Sequence, residues 1–355
     1  MDEGVLSPLE TADPCETVYF RRITGRWPGT CCYGRILHCG PPRRTSIVPV
    51  MNAAQTPIGS AVRHPAFAGA FYPADAAACA EYSRRLVEPF PQLLAVATER
   101  QWTGAIVPHA GWICSGQIAG HSLVTLANRK QDRPVDVVVV FGAVHTVGEF
   151  GYAALDPHHY WMMPQGQSAV QMELQAKLVE NADLFQVDER VHQREHAVEV
   201  ELPLIRAAFG DVPVLPIETP PIDDAMVFGQ KVAQEVAAAN LSAIFLASSD
   251  LTHYGPQYRF TPAGVGVQAM QWELDNDRRL LDLVVRMQPE TVLPEIRSRM
   301  NACGGGAIVA MMAACRELGA SVGKVLSHAN SYQTLAKVSP GPPDNAVGYA
   351  AVVVG

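Results

Sequence analysis

The chain has 355 residues, 48% hydrophobic and 17% charged, enough apolar surface for a large buried core and too much for global disorder. Its formal net charge of −8 comes from intermixed acids and bases with no long basic run, which argues against nucleic acid as the main partner. At 7%, aromatic residues offer no stacking platform for single strands. No apolar run approaches the roughly 20 residues that span a bilayer. The N-terminus MDEGVLSPLETADPCETVYF lacks the basic start and apolar core of a secretory signal. A soluble, cytoplasmic protein without membrane contact is expected.

Residues 1 to about 60 contain RWPGTCCYGR, HCGPPRRTS and AQTPIG, keep no period of 2 or 3.6, and read as a flexible arm. Met51 opens MNAAQTPIGSAVRHPAFAGAFYPAD, giving the expectation that native translation begins there and that the arm is not native. The cysteines Cys15, Cys31, Cys32, Cys39, Cys79, Cys114, Cys303 and Cys315 form no disulfide framework and read as reduced thiols. Cys31, Cys32 and Cys39 fit no zinc-knuckle spacing.

Residues 61–355 read as one α/β domain. GAIVPHA and VDVVVVFGAVH are β-branched, apolar runs of the kind buried parallel strands need, and SGQIAGHSLVTLA between them reads as a helix. EHAVEVELPLIRAAFG looks helical and stops at a C-cap glycine. VPVLPIE, DDAMVFGQKVAQEVAAAN and SAIFLASSD continue the strand–helix–strand rhythm. Helices near 265–286 and 289–300 precede GGGAIVAMMAACRELG, and the strand-like GKVLSHANS and AVGYAAVVV follow. The alternation predicts a three-layer α/β/α sandwich around a mostly parallel or mixed sheet.

Ligands of open α/β sheets collect at the carboxyl ends of the strands. Three runs end there in polar residues: His109 after AIVP, His145 after FGAV, and Asp250 with His253 after IFLASS. Two histidines at analogous strand ends suit a shared metal ion. Cys303, in NACGGGAIVA, heads the next helix, where a thiolate is favoured and glycines admit a close ligand; plain packing of a small hydrophobe is the alternative. Asp250 and His253 read as a carboxylate–imidazole set for proton transfer, although Asp250 also suits an N-cap. In REHAVEVELP, His196 and Glu199 share a helix face and read as pocket wall, with Glu195 and Glu201 nearby, since no zinc-helix signature is present. His158 and His159 of PHHYW read as solvent-facing loop residues.

The motifs AFAGAFYPAD, IVPHAGW, FGAVH, EHAVEVELP, SSDLTHYG and NACGGG occur in the order seen in the Memo-like family, which the chain resembles over about residues 62 to 354. That family is similar in fold to the class III extradiol ring-cleaving dioxygenases, which use non-haem Fe(II). The resemblance implies metal binding by His109, His145 and Cys303, with Asp250 as the site's acidic residue and His253 as its acid–base group. It implies Fe(II) as the metal, with copper or zinc as alternatives, and a small aromatic or enolic substrate. Bacterial members are often encoded beside radical-SAM and AMMECR-type proteins, which implies a functional link; no oligomeric state is implied. This chain has GAVH where the family usually has GPSH or GPNH, EHAVE for EHSIE, and MPQG at Met163–Gly166 for TPLG, changes of pocket wall rather than of ligands. A metal-dependent oxidoreductase is therefore expected. The alternatives are a non-catalytic copper- or iron-binding protein, a peptide- or protein-binding module in the same cleft, and hydrolysis by a Cys303–His253 pair.

Overall fold

The computed structural model describes residues 61–130 and 133–355; the expected arm and the Met51 start lie outside the described residues. In chain order the first elements are β1 (Val62–Arg63), α1 (Ala76–Leu86), α2 (Pro91–Ala97), β2 (Gly104–Val107), α3 (Trp112–Ala127), β3 (Val137–Gly142), β4 (Ala153–Leu155), β5 (Tyr160–Met163), β6 (Gly166–Ala169), α4 (Met172–Val179), β7 (Phe185–Val187) and α5 (Glu189–His192). Then come α6 (Leu202–Phe209), β8 (Val214–Glu218), α7 (Ala225–Ala238), β9 (Ala243–Ser248), β10 (His253–Tyr254), α8 (Val267–Val285), α9 (Pro289–Arg299), α10 (Gly305–Glu317), β11 (Gly323–Asn330), α11 (Ser331–Thr334) and β12 (Ala346–Val354).

GAIV, VVVVFG and VLPIE are buried at every position, which requires helices over both faces of the sheet. Nine strands run in the order β10-β12-β2-β9-β3-β8-β4-β7, with β11 also on β12. The centre, β2-β9-β3-β8, is parallel, while β12 and β4 join it antiparallel. The sheet is therefore mixed, as the α/β/α expectation allowed. Helices α1, α2, α3 and α6 pack together, and α7, α9 and α10 form a second group. Helix α10 is buried from Gly305 to Cys315, which explains an apolar sequence without a polar stripe. Among the described residues no helix is long and apolar enough to cross a membrane.

Register places the site. Ser248 is level with both Val107 and Gly142, and Gly142 is level with Glu218. Four parallel strands thus end in step, and the chain leaves them together toward His109, His145 and Asp250. The mouth of α10 presses on this edge. A Cβ at Gly304 would lie 2.6 Å from Ser249 Cβ, and one at Gly306 would run into the Pro220 and Thr219 carbonyls. Gly306→Ala is expected to destabilise the fold by about 1–3 kcal/mol through overpacking against backbone, measured by urea unfolding.

Two readings change. EHAVEVELPLIRAAFG is not one helix: a single 3₁₀ turn, Glu199–Glu201, precedes α6, and Gly210 ends it at φ +76°. The reason is burial of Glu195, Glu199 and Glu201 along the segment, which a helix with one polar face would not allow. PHHYW is not all loop, because β5 forms a hairpin with β6 and pairs with β1. His158 is buried against Asp156, Nδ1 to Oδ1 at 2.6 Å, whereas His159 is exposed as expected.

Candidate metal centre

His109, two residues past β2, is 1% exposed. Its Nδ1 lies 2.9 Å from Ser248 Oγ, whose own hydroxyl donates to Ala197 O at 2.6 Å. Ser248 must therefore accept, so the His109 proton sits on Nδ1 and the Nε2 lone pair is free. Glu195 does the same for two more rings. Its Oε1 accepts from His145 Nδ1 at 2.9 Å and lies 3.1 Å from His196 Nδ1, where a carboxylate favours the proton on that nitrogen. Both rings therefore also present Nε2. One nitrogen from each of His109, His145 and His196 lies within 4.8 Å of the others. His145 and His196 stack at 4.7 Å and 27°, while His109 stands edge-on to both at 85° and 86°.

The electrostatics follow from this crowding. Burial, with His196 and His145 beside it, holds His109 well below the usual imidazole range, so it stays neutral as a ligand must. His196 is lowered too, burial outweighing its bond to Glu195. Burial works against charge on His145, yet its bonds to Cys303 and Glu195 outweigh that and draw it up, so a metal there would have to displace its Nε2 proton. Glu195 is itself held low, because two imidazoles overcome its burial. Imidazoles backed by a carboxylate and a hydroxyl are the usual dressing of metal-binding histidines, so this donor set fits a transition metal.

Cys303 joins from the other side. Its sulfur is 3.4 Å from His109 Nε2 and 3.5 Å from Asp250 O, and its amide donates to Asp250 O at 3.3 Å. Asp250 is a clamp: Oδ1 accepts from the amides of His109 at 2.9 Å and Ala110 at 3.3 Å. Burial pushes this carboxyl up to about 7 despite those bonds. His253 Nδ1 donates to Leu251 O at 3.1 Å, which leaves its Nε2 as a base. Burial, offset in part by that bond and joined by the nearby His145 and His196, holds it down to about 4.

Of the residues singled out in sequence, the structure gathers His109, His145, Cys303, Asp250 and His253 at one strand-end crevice; His158 and His159 stand outside the histidine cluster. His196, read as pocket wall, stands instead within that cluster. Glu195 and Ser248 as clamps went unread; the adjacent Glu–His pair was the one available signal.

The Memo-like protein family model matches residues 63–353. This chain belongs to the Memo-like family. Over 297 residues the Memo-like chain is 31% identical to a MEMO1 family protein of Methanosarcina acetivorans, covering 82% of this chain and 99% of that one. A MEMO1 family protein of Methanococcoides burtonii is 32% identical over 297 residues, 82% of this chain and 100% of the relative. One from Thermococcus onnurineus is 28% identical over 301 residues, with 82% and 99% covered. The matched region of this Memo-like chain takes in every residue of the centre.

Proposed function

We propose that this protein holds a transition metal at His109, His145 and His196, with Cys303 as the neighbouring sulfur donor, and acts as a non-haem, metal-dependent oxidoreductase resembling class III extradiol dioxygenases. The observation that carries the reading is the convergence of three imidazoles whose tautomers are each set by Ser248 or Glu195. Imidazole with a thiolate suits iron, copper and zinc; Fe(II) is the metal proposed, since a bound iron supplies the Lewis acidity and redox capacity that oxygen chemistry needs.

The protein's own groups supply the rest. His253, neutral and with Nε2 free, accepts the proton of a phenolic or enolic hydroxyl. Phe67 and Phe71 pack on His196 at 5.4 and 4.8 Å, and Tyr258 meets His253 edge-on at 5.0 Å. These rings support a small aromatic or enolic substrate. Asp250 fixes the His109 loop rather than touching substrate.

The test is metal content after anaerobic purification of wild type and His196→Ala, followed by oxygen uptake with a panel of catechols. Wild type is expected to carry a transition metal and consume oxygen, and His196→Ala to lose most of the metal. A metal-free wild type overturns the reading. Metal without oxygen uptake selects the second reading, a non-catalytic copper- or iron-binding protein, which the thiol 3.4 Å from His109 Nε2 favours.

A further inference from the structure

Helix α8 carries Glu273 and Asp277 one turn apart, both fully buried. Three of their four carboxyl oxygens have donors. Thr252 N–H reaches Asp277 Oδ1 at 2.9 Å, His328 Nε2 lies 3.0 Å from Asp277 Oδ2, and Asn330 Nδ2 donates to Glu273 Oε2 at 2.6 Å. Among the described residues Glu273 Oε1 meets no donor. The two carboxyls converge over Gly348, where a Cβ would collide with Asp277 Oδ2 and come within 2.8 Å of Glu273 Oε1. Two buried carboxyls so placed oppose one another's ionisation.

We infer that Glu273 is a carboxylic acid whose Oε1 proton is donated to Asp277, and that this shared proton holds Thr252 and so positions His253. The assignment gives every oxygen of the pair a partner. It rests, for its consequence, on His253 being the proton-moving group of the site proposed above.

Thr252 is held at each of its polar atoms. Asp277 takes its N–H, its carbonyl accepts from Gly348 N at 2.9 Å, and its hydroxyl oxygen accepts from Asn276 Nδ2 at 3.1 Å. His253 is the next residue. The same turn of α8 steadies the Cys303 side, because Asn301 Nδ2 donates to Asn276 O at 3.0 Å and Ala302 bridges to Leu251. From β11 the pair faces His328 and Asn330, from β12 Gly348, and from the β9–β10 connection Thr252; His328 is the titratable group of these. Helix α9 also packs on α8, and its Glu295 is bonded to Arg279 and Asn301. Burial first, then the Asp277 charge, push Glu273 up to about 9.

Glu273→Gln reproduces the proposed state, since its amide NH₂ donates where the acid proton does and its oxygen accepts from Asn330. A folded group with a raised pKa keeps a proton that the unfolded chain releases, so wild type loses stability as pH climbs from about 5 to 9. The Gln variant escapes that loss. Unfolding of metal-free protein across this range is expected to show Glu273→Gln gaining on wild type by up to tenfold in the folding constant per pH unit. The infrared band of one protonated carboxyl, present in wild type at pH 7, should vanish in the variant. In histidine NMR spectra, His253 should shift with a transition near pH 9 in wild type and none in Glu273→Gln, and be displaced at neutral pH in Asp277→Asn. Parallel stability–pH curves or an unchanged carboxyl band overturn the shared proton. A His253 signal indifferent to both variants overturns the positioning role. None of these readouts needs a metal, so a wild type that fails to bind one would sink the metal-centre reading alone.

Discussion

Glu195→Gln is expected to lower metal affinity about 10–100-fold, the usual cost of removing the group behind a metal-binding histidine. Glu195 does that for two rings at once. Its Oε1 accepts from His145 Nδ1 and from the amides of His196 at 2.8 Å and Ala197 at 3.2 Å, and lies 3.1 Å from His196 Nδ1. Its Oε2 accepts from the His145 amide at 2.6 Å. Every contact demands an acceptor, and glutamine brings one oxygen and one donor. Whichever way the amide turns, an NH₂ faces an N–H at a fully buried position. The charge that supports both imidazoles goes as well. Competition titration with a chromogenic chelator measures the change. Glu99→Gln, at an exposed carboxylate bonded to Lys324, is the control expected to leave affinity unchanged. Equal affinity of Glu195→Gln and wild type would show that the two rings do not need this clamp.

How much of this centre was legible depended on what kind of contact made each part. His109, His145, Asp250 and His253 could be found because buried parallel strands announce themselves as β-branched runs, and the position after such a run is where ligands gather. Cys303 was visible because its glycines have a local cause, the pressure of α10 on the ends of β9 and β8. His196 was not. Read as a helix, Glu195 and His196 point about 100° apart and serve different surroundings; the turn that lets one carboxylate hold both its neighbour and His145 exists because long-range contacts bury the segment. The Glu273–Asp277 pair was hidden for a related reason. On WELDNDRRLL the acids resemble a solvated helix face, and β11 and β12, some fifty and seventy residues later in the chain, bury them. The outer strands β4 and β7, three residues each, are too short for alternation to register.

Arg63→Met is expected to cost the most stability, about 3–5 kcal/mol, because it strands a buried carboxylate. Arg63 is 5% exposed and Glu199 1%, with Nη1 to Oε2 at 2.8 Å. The guanidinium lies 4.0 Å over the Trp161 ring, and Nη2 donates to His192 O at 2.9 Å and Glu195 O at 3.1 Å. Glu199 in turn accepts from the amides of Ala66 and Phe67 at 2.9 and 2.7 Å and from Tyr72 OH at 2.9 Å. Methionine fills the volume over Trp161 and leaves the charge behind. The denaturant midpoint should fall with the slope unchanged. Arg63→Met/Glu199→Gln should recover only part of the loss: the amide no longer needs a cation, but its one oxygen accepts from a single side while its NH₂ faces the N–H of Ala66 or Phe67. A double variant no more stable than the single one would mean that lost packing on Trp161, not the stranded charge, sets the cost. The same substitution should also weaken metal binding, for Arg63 is what ties the Glu195 turn to β1. A stability defect of this size with full metal affinity would separate the two roles and show that the Glu195 turn holds its shape without Arg63.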